Sequence, residues 1–578
     1  MTKIRAPEDS RRHFLSLGLR VVSGLAVPLA FNGCNRTEGD EHNGTPVQTF
    51  IQPTLLESKD GLLDIELKVS YFDTELSGLD PLKKYPVSLR AYGYNTERPD
   101  FFGPTLVVKG GDQLRIKLIN NLPFNPPAAI GPLLYMKPNT TNLHTHGLHV
   151  FPGIYNNSNP REYGDFVVDS NSGGVVPRGG SRQYVYNLPA NHPAGPFYYH
   201  PQFHGSSALQ GASFMQGAIM VRGPVDDLPE MAQATELIFL FQAPYFANGK
   251  TVKDHGVKAG SLETFGQIGN RPTGHGVNKN NKEYLDAQPV LINGVRQPTI
   301  LMRSGEVQRW RFINTQIFNC LNLNLDDHVF HQFTVDGWGT SAYQEFPDAR
   351  KNDGKGIILS AGNRSSVIVK AGKPGTYLLR TLSVKIAEGT QTESLPGDVL
   401  AKIIVIDDSK FLAQKIPDTP LPVSDFLKPI SDEELADCGG RKRSIVLNMK
   451  GDAALQNSAD SQSGSTVNYQ LQPSNSIIQY VPQGAVEEWT LFNFNSIAHP
   501  FHIHVNPMYV TRVNGVPIDP YWCDTVALPA GGTQEMPTSV TFRMRFDDFS
   551  GPYIMHSQML QHSDLGMVFR VTVLPTQG

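Results

Sequence analysis

The sequence predicts an all-β protein of three β-sandwich domains in tandem, and this prediction depends on a repeated motif, the chain length and the composition. The motif is a glycine followed nine residues later by an asparagine, and its copies begin at Gly111, Gly305 and Gly484. Apolar residues two positions apart lie between them in each copy, as a half-buried strand requires. Each copy therefore marks one sandwich, and 578 residues suffice for three large ones.

The composition agrees with this fold and excludes some partners. The 53 glycines and 43 prolines suit many short strands joined by tight turns. The formal net charge of -4 indicates no basic face, so we expect no nucleic-acid partner. With only four cysteines, no disulfide framework holds the fold, and we expect these residues to be buried small hydrophobes.

A second repeat closes each predicted sandwich, and its copies begin at Gly195, Gly375 and Gly551. The first and third copies end in histidine, whereas the middle copy ends in Arg380. This difference assigns the chemistry to the first and third domains and predicts that the middle domain is a structural spacer. The predicted domains cover residues 49–225, 226–412 and 413–578.

The first 34 residues resemble a twin-arginine export signal. Arg11 and Arg12 precede a modestly apolar stretch that Arg20 interrupts, which argues against a permanent membrane span. Cys34 follows this stretch where a lipoprotein would be cleaved and acylated, and the sequence leaves open whether it carries a lipid anchor. Residues 35–48 would form a linker, and we expect the mature protein in the periplasm or cell envelope.

Many of the 17 histidines fall in four short clusters within the first and third domains. Residues i and i+2 of a strand project from one face, so each His-x-His pair presents two imidazoles to one place. Neutral imidazole is a common ligand for copper and other late transition metals. Two such pairs in equivalent domains favour a metal site over buried structural histidines. The clusters are His144-Thr-His146, His200-Pro-Gln202, His499-Pro-Phe-His502-Ile-His504, and His556-Ser557-Gln558 with His562 and Met567.

These ordered motifs resemble those of the multicopper oxidases, such as laccases and bacterial spore-coat and copper-resistance oxidases. The likeness spans nearly the whole mature chain and implies three tandem cupredoxin-like Greek-key β-sandwich domains. It also implies copper as the cofactor. In that family a type 1 copper, bound by two histidines, a cysteine thiolate and a methionine, takes electrons from the substrate. A trinuclear cluster between the first and third domains then reduces dioxygen to water.

Transferred position by position, the resemblance implies an incomplete set of copper ligands. The type 2 copper would keep both of its ligands, His144 and His502. Each type 3 copper would meet a glutamine in place of one histidine: His146, His200 and Gln558 for one ion, and His504, His556 and Gln202 for the other. The type 1 copper would keep His499, His562 and Met567 but meet Ser557 in place of cysteine. We therefore expect fewer than four copper ions, with a type 2-like site retained.

Of the three altered ligand positions, Ser557 departs most from the copper ligand that it replaces. A serine hydroxyl stays protonated near neutral pH and is a hard, weak ligand that cannot replace the soft copper–thiolate bond. Gln202 and Gln558 offer neutral amide oxygens and occupy corresponding places in the two repeats, which favours a remodelled site over random loss. Near them, Ser563 stands where many relatives carry a proton-delivering carboxylate.

Three further features near the site carry expectations of their own. Asp524 is a candidate for orienting a site histidine, and Asp564 is a candidate for replacing the carboxylate that is missing at position 563. The stretch of residues 156–174 follows the first motif closely, and we expect it to shape the entrance to the site.

Two classes of function remain open from the sequence. The first is an exported, non-blue, copper-dependent oxidoreductase of atypical type that acts on an unknown small molecule. The second is a protein without catalysis, either a cell-envelope scaffold of the cell-division type that binds an envelope protein, or a copper-sequestering protein. Histidines have no physical reason to converge without a metal, which weakens the scaffold alternative. We expect a monomer, and no motif identifies catalytic residues or a substrate.

Overall fold

The computed structural model describes most of the chain between residues 48 and 575 and shows an all-β protein, which confirms the predicted fold class. The predicted export signal and Cys34 lie outside the described residues. Within that range the structure leaves out residues 78–83, 96–100, 126–136, 154–163, 166, 168–174, 244–289, 352–354, 383–384, 388–389, 392–398, 448–464, 468–477 and 565–566.

The first sandwich packs a four-stranded sheet against a five-stranded sheet, with one apolar core between them. The motif that begins at Gly111 forms the strand Gln113–Asn120, whose buried residues alternate with more exposed ones as predicted. In spatial order the four-stranded sheet contains Lys84–Tyr94, Leu62–Ser77, Gln113–Asn120 and Ser181–Asn187. The five-stranded sheet contains Leu55–Glu57, Thr105–Lys109, Gly217–Arg222, Gly195–His200 and His144–His146.

The middle sandwich has a seven-stranded and a five-stranded sheet around a second core. The larger sheet contains Val295–Arg296, Leu291–Ile292, Thr235–Gln242, Val307–Asn314, Arg364–Lys370, Phe330–Val335 and Trp338–Phe346. The smaller contains Thr299–Arg303, Val399–Ile406, Gly375–Thr381, Leu321–Leu325 and Ile357–Leu359. A separate hairpin pairs Lys385–Ala387 with Thr390–Gln391.

The strand Val307–Asn314 departs from the predicted half-buried pattern, because all of its residues are buried. Trp310 and Phe312 lie in the core, as predicted. On the opposite face Arg311 pairs with Asp226 and Glu236 at 2.8 Å each, and these ion pairs remove that face from water. The prediction of a half-buried strand was therefore wrong for the second copy of the motif.

The last sandwich has a six-stranded and a five-stranded sheet around a third core. The six-stranded sheet contains Ser465–Val467, Lys442–Leu447, Val486–Asn493, Thr538–Arg545, Met508–Val513 and Val516–Cys523. The five-stranded sheet contains Ile478–Pro482, Val568–Leu574, Gly551–Ser557, His499–Ile503 and Thr525–Leu528. The domain boundaries near residues 225 and 412 stay predictions.

The helices in the described part are short: Ser207–Ala212, Pro229–Gln233, Asp432–Asp437, Leu560–Asp564 and the 3-10 helix Asp425–Leu427. None of them is long and apolar enough to cross a membrane. The three described cysteines are free thiols. Cys523 is buried in the last core as expected, but Cys438 is exposed where the helix Asp432–Asp437 ends, so the expectation of burial was wrong there.

Candidate metal centre

Strand pairing brings the histidine motifs together within each outer sandwich. In the first sandwich His144 lies directly opposite His200 on the neighbouring antiparallel strand. In the last sandwich His502 lies opposite His556. Directly opposed residues share one face of a sheet and their chain neighbours project from the other, so Ser557 points away from the two histidines.

Six histidines converge between the first and last sandwiches, and none of them is more than 1% exposed. They form two stacked pairs, each with one ring from either sandwich. The ring centroids of His144 and His504 lie 3.8 Å apart, and those of His146 and His502 lie 3.6 Å apart. His200 and His556 flank the pairs, with ring centroids 5.2 Å from His144 and 5.4 Å from His502 respectively.

One carboxylate lies against the outside of each stacked pair, and Thr525 Oγ1 and the Asp524 carbonyl make closer contacts to the second pair. Asp165 Oδ2 lies 2.7 Å from Nδ1 of His144 and 3.2 Å from Nδ1 of His504. Asp524 Oδ1 lies 3.4 Å from Nε2 of His146 and 3.3 Å from Nδ1 of His502. These contacts assign the ring proton to the outward nitrogen, which leaves the inward nitrogen as the electron-pair donor.

The two flanking histidines are oriented in the same way by their own backbone. Nδ1 of His200 donates to the carbonyl of Pro201 at 2.9 Å, and Nδ1 of His556 donates to the carbonyl of Ser557 at 3.0 Å. All six rings therefore present one nitrogen inward. The inward Nε2 atoms of His144 and His502 are buried without a hydrogen-bond partner among the residues that the structure describes.

The inward nitrogens are close enough to share an ion. Nε2 of His200 lies 3.4 Å from Nδ1 of His146, and Nε2 of His504 lies 3.2 Å from Nε2 of His556. Three groups have ligand atoms within 4.8 Å of one another: His144, His146 and His200; His144, His502 and His504; and His146, His502 and Asp524. The structure thus brings together all six histidines that the sequence assigned to the type 2 and type 3 positions.

Burial keeps these imidazoles neutral. It lowers the pKa of all six histidines, to about 4 for His502 and His504. Neutral imidazole is the form that binds a metal ion. Burial alone would raise the pKa of the Asp524 carboxyl, but Arg364 and the neighbouring histidines hold it well below its usual value. The site therefore combines neutral ligands with a carboxylate that stays charged.

The two glutamines at the altered positions are buried beside the histidines. Gln202 Nε2 donates to Ser563 Oγ at 3.2 Å, and Gln558 Nε2 donates to the Tyr198 hydroxyl at 3.0 Å. In both side chains Oε1 is buried and has no partner among the described residues. Each glutamine therefore has a fixed amide nitrogen and a free amide oxygen.

Asp564, the candidate replacement for the carboxylate missing at position 563, is held by backbone N–H groups. Its carboxylate accepts hydrogen bonds from the backbone N–H groups of Gly205, Ser207 and Ala208, at 2.8, 3.1 and 2.8 Å. Burial raises its pKa to about 7. The contacts fix the start of the helix Ser207–Ala212, so Asp564 anchors this helix. Its replacement of the carboxylate missing at position 563 stays a prediction.

The residues assigned to the type 1 position lie together on the other face of the sheet. The ring centroids of His499 and His562 are 5.2 Å apart, and the backbone N–H of Ser557 donates to the carbonyl of Met567 at 3.1 Å. The Oγ atom of Ser557 is buried and meets no partner within the described chain. Cys523 ends a strand of the opposite sheet, and burial raises the pKa of its thiol.

Comparison with known proteins agrees with this arrangement. Two family models described as multicopper oxidase match residues 245–396 and 442–577. A multicopper oxidase of Staphylococcus haemolyticus is 21% identical over 493 residues, which cover 83% of each chain. The chain belongs to the multicopper oxidase family. Membership in this family implies copper as the cofactor.

Solved structures of multicopper oxidases share the fold of this family member. That of the enzyme from Pseudomonas thermotolerans matches with a TM-score of 0.60 at 19% identity, over 89% of this chain and 99% of that one. That from Campylobacter jejuni, described as a metallo-oxidase, matches with a TM-score of 0.60 at 17% identity, over 92% and 96% of the two chains. These likenesses confirm the predicted cupredoxin-like fold.

Several residues of this multicopper oxidase site carry no sequence signal that marks them. Asp165 lies within the stretch 156–174, most of which is outside the described residues, so the predicted entrance is not tested. Arg364 comes from the middle sandwich and reaches the site only through tertiary packing. Tyr198 was within reach of sequence reasoning, because it stands directly opposite His146 and its ring lies 4.5 Å from the imidazole.

Proposed function

We propose that this protein is an exported, non-blue, copper-binding oxidoreductase whose copper is held at a type 2-like site centred on His144 and His502. One observation carries the proposal. Both rings are neutral and buried, both commit Nδ1 to an oxygen acceptor, and both leave Nε2 without a hydrogen-bond partner among the described residues. A buried nitrogen electron pair without a partner is costly unless a metal ion takes it.

The donor set fits this site better than a full set of coppers. The inward nitrogens of His146, His200, His504 and His556 can assist the central pair. Amide oxygens of Gln202 and Gln558 are harder and weaker donors for copper than imidazole nitrogens, so we propose fewer than four ions. At the type 1 position a hydroxyl cannot supply the soft sulfur ligand of a blue site.

The residues around the site determine what it can do. Copper, when bound, supplies one-electron redox chemistry. Since no thiolate connects the two faces of the sheet, the reductant has to reach the histidine site itself. Asp165 and Asp524 hold the stacked rings in place and keep their outward nitrogens protonated. The burial of the six histidines restricts the access of water to the ligand nitrogens.

A metal assay tests the proposal. The mature protein is purified with copper supplied, its bound metal is quantified, and optical and electron paramagnetic resonance spectra are recorded. We expect an axial type 2 signal without an intense blue band, and loss of this signal in His144→Ala. The matched control is His328→Ala, which removes a buried histidine of the middle sandwich and should leave copper content unchanged.

Three results contradict the proposal in different ways. An intense blue band shows that Ser557 does not prevent a type 1 site. Absence of tightly bound copper from the wild-type protein favours a cell-envelope scaffold. Copper binding without oxidation of any reductant leaves the metal site in place and assigns the protein to copper sequestration. We also propose a periplasmic or cell-envelope location, a monomer, and a small-molecule substrate.

A further inference from the structure

An arginine of the middle sandwich reaches the histidine site. Arg364 begins the strand Arg364–Lys370, and its side chain is fully buried. Its guanidinium donates from Nη1 to Oδ1 and from Nη2 to Oδ2 of Asp524, at 2.6 Å each. A two-pronged pairing of this kind fixes the plane and position of a carboxylate as well as its charge.

The carboxylate that Arg364 holds is the one that contacts two proposed ligands. Asp524 Oδ1 lies within 3.4 Å of His146 from the first sandwich and within 3.3 Å of His502 from the last. The indole N–H of Trp338 donates to Oδ2 at 3.1 Å. The middle sandwich thus supplies two donors to Asp524. The same ring nitrogens also have closer partners, since Thr525 Oγ1 lies 3.1 Å from Nε2 of His146 and the Asp524 carbonyl lies 2.9 Å from Nδ1 of His502.

The glycine after the first histidine motif makes room for this ion pair. Gly147 has a φ of 85°, a backbone conformation that residues with a side chain rarely adopt. A Cβ atom at this position would collide with Nη2 of Arg364 and lie 2.6 Å from Oδ2 of Asp524. The first motif is therefore shaped to accept an arginine from another domain.

We propose that Arg364 is a positioning residue of the metal centre, which holds the Asp524 carboxylate so that His146 turns its electron-pair nitrogen inward. The inference rests on the proposed copper site and adds a function for the middle sandwich beyond that of a spacer. Loss of a partner that orients a metal ligand typically lowers metal affinity by about 10- to 100-fold. We expect a loss of this size in Arg364→Met.

A control separates this role from general stabilisation of the fold. Arg311 is another buried arginine of the middle sandwich, and it pairs with Asp226 and Glu236. Arg311→Met therefore also removes a buried cation, although Arg222 and Arg309 still pair with the two carboxylates. The partners of Arg311 among the described residues include no histidine. Arg364→Lys keeps the charge without the two-pronged geometry and should recover part of the copper affinity.

The first measurement needs no metal. Histidine labelled with nitrogen-15 in the ring reports tautomers by nuclear magnetic resonance in the metal-free protein, with His146→Gln and His502→Gln used for assignment. We expect wild-type His146 to carry its proton on Nε2 and His502 to carry its proton on Nδ1. The His146 pattern should change in Arg364→Met and persist in Arg311→Met, whereas His502 should keep its proton on Nδ1 in both variants, because the Asp524 carbonyl accepts it at 2.9 Å. An unchanged His146 tautomer in Arg364→Met overturns the inference.

The second measurement is copper affinity by chelator competition, together with the paramagnetic spectrum of the bound ion. We expect Arg364→Met to bind about 10- to 100-fold more weakly with altered copper hyperfine splitting, and Arg311→Met to match the wild type. Equal losses in the two variants overturn the inference.

If Arg364→Met does not fold, Arg364→Lys takes its place. Wild-type copper affinity together with a wild-type His146 tautomer in Arg364→Lys then overturns the inference. If the wild-type protein binds no copper, the proposed function fails while the tautomer measurement still decides the role of Arg364.

Discussion

Acid should destabilise the metal-free protein through its buried histidines. Burial lowers the pKa of His502 and of His504 to about 4 from the ordinary value of 6.5. Below pH 6.5 these histidines bind protons in the unfolded chain but not in the native state. Native stability therefore falls between about pH 6.5 and pH 4. Because the native pKa is about 4 and the unfolded pKa is 6.5, the free energy of unfolding at pH 5 is lowered by roughly 2 kcal/mol for each of these residues, or roughly 4 kcal/mol for the pair.

The assay compares urea unfolding of the metal-free protein at pH 7 and pH 5, for the wild type and for the double variant His502→Gln with His504→Gln. The variant should lose roughly 4 kcal/mol less than the wild type over this interval, because glutamine does not titrate. Saturating copper should reduce the loss in the wild type, since bound imidazoles cannot take up a proton. An identical pH dependence in the two metal-free proteins refutes the reasoning.

Three further predictions concern the proposed chemistry and export. Combining Ser557→Cys with Gln202→His and Gln558→His should produce an intense blue band and oxidation of phenols or cuprous ion; a triple variant that folds and binds copper but remains inactive places the defect elsewhere. Asp165→Ala should weaken copper binding by about 10- to 100-fold in chelator competition, because it removes the acceptor that orients one stacked pair; wild-type affinity contradicts this role. Lysines in place of the paired arginines of the export signal should retain the protein in the cytoplasm, as cell fractionation would show; continued export argues against the twin-arginine route.

The sequence was most informative where strand periodicity alone determines direction. The alternation within each His-x-His motif predicted which side chains share a face, and the register that pairs His502 with His556 agrees with it. The same alternation places Ser557 on the opposite face from its neighbour His556. These conclusions needed no knowledge of distant contacts, because neighbouring residues of a strand determine them.

Sequence reasoning failed where burial depends on another part of the chain. The second copy of the strand motif looked half-buried because its outward residues include Arg309 and Arg311, and only the structure shows the acidic partners that cover them. Asp165 escaped notice because it lies within the insertion of residues 156–174, and nothing in the sequence marks it as a partner of His144. Asp524 could be named as a candidate, but its arginine partner could not.

The sharing of each imidazole stack between the first and last sandwiches has a consequence for biogenesis. His144 and His504 belong to opposite parts of the chain, so neither stack exists until the carboxyl-terminal strands have been synthesised and docked. A nascent, truncated or misdocked chain presents only half of the ligands. If copper binds as proposed, only a chain whose first and last sandwiches have docked retains it. Copper retention therefore reports complete assembly of the protein.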